Sequence, residues 1–133
     1  MYEFAVGVLG LHLRNATGTG PCDVATSKAF KGIHLSVTSP DEDLDATVKT
    51  LLVNKARGAG GASSINPVFV YFYRLSPTEL VDFSAPWGDQ ARSPVYTEGG
   101  ETYLVYGIGM FSKTRIVDAQ NYTAKINYTL HYN

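Results

Sequence analysis

The chain reads as a single mainly β domain over residues 1–133, an antiparallel β-sandwich or barrel-like fold with one amphipathic helix at about residues 40–57. Three observations predict it. Residues 121–133 alternate strictly, with Tyr122, Ala124, Ile126, Tyr128, Leu130 and Tyr132 on one side and polar residues on the other, the period-two signature of a half-buried strand. Segments 68–73 and 103–111 are apolar at both parities, as interior strands are when both faces are covered. Thirteen glycines, nine tyrosines and six phenylalanines tilt the composition toward strands and tight turns. A chain of this length buries about two thirds of its unfolded surface in one core, so a second core is not expected.

Taken in order, residues 2–8 alternate as Tyr2, Phe4, Val6 and Val8, after which the apolar parity moves to Leu9, Leu11 and Leu13. An extra residue in a bulge near Gly10 accounts for the change. Residues 15–21, rich in Gly and Thr, form a loop, and Ile33, Leu35 and Val37 then mark another half-buried strand. The helix comes next. Ser39 is its N-cap, Pro40 its first residue, and Glu42 completes a capping box. Asp41, Glu42 and Asp43 suit the positive end of the dipole, Lys55 and Arg57 the negative end, and Gly58 the left-handed stop. Leu44, Val48, Leu51 and Leu52 form its apolar stripe, while Asp45 and Lys49 make an exposed pair four residues apart. Residues 58–66 connect it to the first central strand, residues 68–75; the second central strand is 103–111. Residues 76–100 between them, with Pro77, Pro86, Pro94 and turn signals at Trp87-Gly88-Asp89 and Glu98-Gly99-Gly100, hold short strands or a functional loop.

Several function classes are excluded or disfavoured. A formal net charge of -1 offers no basic stripe for nucleic-acid phosphates. Cys22 is alone, so an intrachain disulfide and a multi-cysteine metal site are both excluded. The sequence has no apolar run long enough to span a membrane and no secretory signal; with Met1 followed by Tyr2, it is expected to be an unprocessed product. Gly58-Ala59-Gly60-Gly61 follows a helix and lacks a lysine, the reverse of a phosphate loop. His12, His34 and His131 lie in alternating segments without metal-ligand spacing, Ser63 and Ser64 lack a nucleophile elbow, and Asp41, Glu42, Asp43 and Asp45 lack the pattern of an EF-hand. No catalytic residue, metal or cofactor is expected. The acceptor tripeptides at 15–17, 121–123 and 127–129 arise as readily from polar alternation as from secretion.

One constellation points to binding. Trp87, Asp89, Gln90, Arg92, Tyr96 and Glu98 combine aromatic surface with planar hydrogen-bonding groups, which suits a sugar ring or a partner hot spot. The competing reading is that Trp87 plugs one end of the core.

Tyr132 next to the C-terminus, the alternation from Tyr122, and Ala119-Gln120-Asn121-Tyr122-Thr123-Ala124 at the strand entry resemble pilins of the chaperone-usher class, including the spore-coat-U-like group. Tyr106-Gly107 and Trp87-Gly88-Asp89 are looser echoes. The resemblance implies export and donation of an N-terminal strand to a neighbour. Gln120 stands where that turn has glycine, and Cys22 is single where such pilins have a pair.

The expected function is a non-enzymatic structural subunit of a self-assembling particle: a virus or bacteriophage coat or tail protein, found in the virion and assembled from copies of itself in the host cytoplasm. Its assembly strands are expected to present Tyr2, Phe4 and Val6 at one end of the chain and Tyr122, Ile126, Tyr128, Leu130 and Tyr132 at the other. They are long and lack proline, with few charges, unlike guarded sheet edges. A secreted pilin and a carbohydrate-binding module using Trp87 and Tyr96 are the alternatives.

Overall fold

The two segments that are apolar at both parities lie side by side in the larger of two sheets. The structure, a computed structural model, describes residues 2–15 and 17–132, the side chains of Tyr2, Phe4 and Ala5 excepted. Its elements are β1 (Tyr2–Leu13), α1 (Val24–Ala29), β2 (Phe30–Ser36), α2 (Pro40–Asp43), β3 (Leu52–Val53), β4 (Val68–Leu75), β5 (Thr78–Leu80), β6 (Tyr96–Glu98), β7 (Glu101–Ser112) and β8 (Asn127–Tyr132). The fold is mainly β and antiparallel, as the sequence predicts. A six-stranded sheet runs β1-β7-β4-β3, with β5 paired to β4 and β6 to β7, while β2 and β8 form a separate two-stranded sheet.

Alternation along β4 explains why both its faces are apolar. Val70 and Phe72 join Leu104 and Tyr106 of β7, Phe30, Ile33 and Leu35 of β2, and Leu44, Leu52, Val81 and Phe83 in the main core between the sheets. Phe69 and Tyr71 join Leu51 and Phe111 in a second cluster on the other face. There Tyr71 and Tyr73 lie opposite Gly109 and Gly107 of β7. A Cβ on either glycine would overlap the facing ring, so these glycines let the rings lie across the neighbouring strand. The β6–β7 turn uses Gly99 and Gly100 at φ 58° and 81°, the paired left-handed conformation of a tight hairpin.

Several expectations are corrected. The helix placed at 40–57 starts at Pro40 but ends at Asp43. Ser39 makes no side-chain cap; its backbone N–H donates to Asp43 Oδ2 at 3.1 Å. Beyond Leu44 the chain loops back so that Leu44 bridges Leu52, and Leu44, Leu51 and Leu52 are all buried while Val48 stays exposed. Asp45 is no exposed partner of Lys49. It is buried, accepts from the backbone N–H groups of Thr47 and Val48, and pairs with Lys113. An aspartate that ties down its own following backbone competes with the helix, and Thr47, Val48, Thr50 and Val53 are β-branched residues that a helix holds poorly.

The C-terminal strand covers only Asn127–Tyr132. Residues 121–126 leave the ladder because Asn54 and the glycine loop take their backbone: Asn54 Oδ1 accepts from Thr123 N at 2.9 Å, Lys55 N donates to Thr123 O, and Asn121 N donates to Gly60 O. The bulge in β1 lies at Val6, between Ala5 and Gly7, four residues before Gly10. Finally, α1 was not anticipated, although Asp23 caps it by accepting from Thr26 N at 2.7 Å.

Candidate functional site

The turn that carries Trp87 is built by Pro86, whose carbonyl accepts from Asp89 N and Gln90 N at 3.0 and 3.1 Å. This turn sends Gln90 inward and leaves Asp89 exposed. The Gln90 amide accepts from Leu35 N at 2.9 Å and donates to Leu35 O at 2.7 Å, the two bonds that a neighbouring strand would make, and also donates to Asp82 O at 2.9 Å. Trp87 stacks on His131 of β8, centroids 3.9 Å apart and planes within 7°, and the Arg92 guanidinium carbon sits 3.7 Å from the indole ring centre. Two groups this close above one ring must occupy opposite faces, so the indole is sandwiched. His131 in turn meets His34 edge-on at 6.3 Å, and His34 Nε2 contacts Ala85 O at 2.7 Å. The cluster fastens the 85–92 loop to the smaller sheet.

Of the residues grouped by sequence, Trp87 and Arg92 are in direct contact. Tyr96 belongs to a different stack, against Tyr103 at 5.4 Å, with His12 at 5.6 Å from that ring. His34 and His131 complete the Trp87 cluster and were legible only as strand histidines. Sequence spacing gives no means of pairing a histidine at 131 with a tryptophan at 87.

A second feature lies where the two sheets meet. Among the described residues, β1 pairs only with β7 and β8 only with β2, so each has one free edge. Between them runs an open groove of about 90 Å³, walled by Leu11 and Leu13 of β1 and by Tyr128 and Leu130 of β8, with Phe30, Ile33 and Leu104 also lining it. Of the expected assembly residues, Val6, Tyr122, Tyr128, Leu130 and Tyr132 are exposed, and Ile126 packs against the core. The side chains of Tyr2 and Phe4 lie outside the described ones.

The charged groups serve the framework. Burial alone would raise the Asp45 carboxyl, but the bond from Lys113 and those from the Val48 and Thr47 amides outweigh it and hold the group well below the usual carboxylate range. Hydrogen bonds from Ser63 and Asn66 likewise lower Asp118. Gln120 ties the same region together, accepting from Ser63 N and Val68 N and donating to Asn66 O and Asp118 O. Among the described residues there is no cluster of His, Cys, Asp and Glu able to hold a metal, and no helix long and apolar enough to cross a membrane. No family model, no curated protein and no solved structure matches the chain.

Proposed function

We propose that this chain is a non-enzymatic structural subunit that assembles with copies of itself through strand edges, as a virus or bacteriophage coat or tail protein does. The observation that carries the reading is the pair of free edges, β1 and β8, flanking one apolar groove. An unpaired edge presents a row of backbone donors and acceptors to any strand that fits, and natural monomers guard such rows with charges, proline, bulges or short length. β1 has twelve residues, and neither lysine nor proline is among them. The exposed Val8, Tyr128, Leu130 and Tyr132 add apolar surface beside these edges.

The two alternatives have less support. A stacking platform for sugars needs an open aromatic face, whereas Arg92 and His131 occupy both faces of Trp87. The pilin likeness drew on a long final strand, and that strand has six residues.

Sedimentation velocity over a wide concentration range, with electron microscopy of the same samples, tests the assembly reading. Concentration-dependent growth into discrete particles or polymers is expected. A protein that stays monomeric at hundreds of micromolar would refute the proposal.

A further inference from the structure

From the position of the bulge in β1 we infer that a second copy of the chain docks antiparallel on this edge, with Val8 on the two-fold axis. The inference rests on the assembly reading above and names the surface and partner. Residues directly opposed in an antiparallel pair share a face of the sheet. Across β7, Glu3 and Ala5 oppose Phe111 and Gly109, while Val8, Gly10 and His12 oppose Gly107, Val105 and Tyr103, which puts Glu3, Val8, Gly10 and His12 on one face. Phe4, Gly7, Leu9, Leu11 and Leu13 oppose Met110, Ile108, Tyr106, Leu104 and Thr102, which puts Gly7, Leu9, Leu11 and Leu13 on the other. Val6 is the extra residue that brings odd positions before it and even positions after it to the same face.

A second β1 laid antiparallel with Val8 opposite Val8 then matches faces throughout. Gly7 meets Leu9 and Glu3 meets His12, each twice by symmetry. Without the bulge, the same axis would set Glu3 against Leu13. The strand has one acid, Glu3, and one imidazole, His12; both are exposed and the axis brings them together. His12 also lies 3.9 Å from its own Glu101. Val8 is 66% exposed, the most exposed large apolar residue described in the strand, and its position on the axis covers it in both copies. Such an isologous contact requires only a second identical strand and joins two six-stranded sheets into one. A competing axis at Gly10 leaves Glu3 without a partner and sets Val8 against His12.

Cysteine crosslinking of the full chain reads the register directly. In a Cys22→Ser background, Val8→Cys and Gly10→Cys are each introduced; both sites are open, with nothing within 4 Å of a Cβ built at Gly10. Under mild oxidation Val8→Cys should form a covalent dimer, because Cα atoms directly opposed across a ladder are about 5 Å apart and within disulfide reach. Gly10→Cys should not, its two copies being about 13 Å apart along the strands. Val8→Lys should weaken self-association about tenfold or more, since like charges directly opposed resist pairing. Crosslinking at Gly10 in place of Val8, or assembly that persists with neither site reactive and Val8→Lys unaffected, would overturn the β1 axis while leaving self-assembly intact. Crosslinking confined to Tyr128→Cys would transfer the contact to the β8 edge. A strictly monomeric protein would remove both this inference and the function on which it rests.

Discussion

Gln90 replaces a strand with a side chain. Its amide satisfies both the N–H and the C=O of Leu35, covering the outer edge of β2 at that residue. In Gln90→Glu a carboxylate oxygen faces the Leu35 and Asp82 carbonyls, and the variant should lose about 2 kcal/mol or more, read from its urea midpoint at pH 7. Asp45 makes a different demand. Its carboxyl is depressed in the folded state, so the stability it contributes is fully present above its unfolded value of about 3.9 and is lost as pH falls through the lower folded value. Unfolding free energy should therefore change little between about pH 7 and 5 and drop below about pH 4. Asp45→Asn should be less stable at pH 7 and show a shallower acid drop, with Asp23, Asp43 and Asp118, also lowered, contributing to what remains.

At the level of elements, β7 is governed by what crosses it. Gly107→Ala places a methyl group into the Tyr73 ring and should cost about 1–3 kcal/mol, measured by thermal or urea unfolding, whereas Gly10→Ala on the open edge should cost far less. The strands that alternate or are apolar throughout were legible because their signal is local: β2, β4 and β7 lie where the pattern puts them, and the parity switch in β1 does mark a bulge. The helix at 40–57 failed for a physical reason. The acidic start and the apolar spacing after Pro40 do suit a helix, but the β-branched Thr47, Val48, Thr50 and Val53 oppose it, Lys113, 68 residues further on, pairs with Asp45, and Leu44 bridges Leu52. Residues 121–126 failed in the same way, since the alternation continues while Asn54 and Gly60 claim the backbone. Of the candidate site, Trp87 with Arg92 was legible from proximity in sequence. His131 was not, because its approach depends on β8 pairing with β2.

For the whole molecule, β1 and β8 border one open apolar groove, and the proposed contact between copies uses the β1 edge beside it. The contact inferred on β1 is made by backbone ladders and apolar side chains, with a single acid–imidazole pair repeated by symmetry. Raising salt from about 50 to 500 mM should therefore alter self-association only slightly in sedimentation, because screening acts on exposed charges and not on apolar burial. The same connectivity bears on synthesis. Leu11 waits for Leu104 and Leu35 waits for Tyr128, so each sheet is closed by a strand translated roughly ninety residues after its partner. At about 5–20 residues per second the growing polypeptide carries a long, largely apolar strand for several seconds before its neighbour exists. Nascent chains on one polysome thus present this strand to one another during that interval.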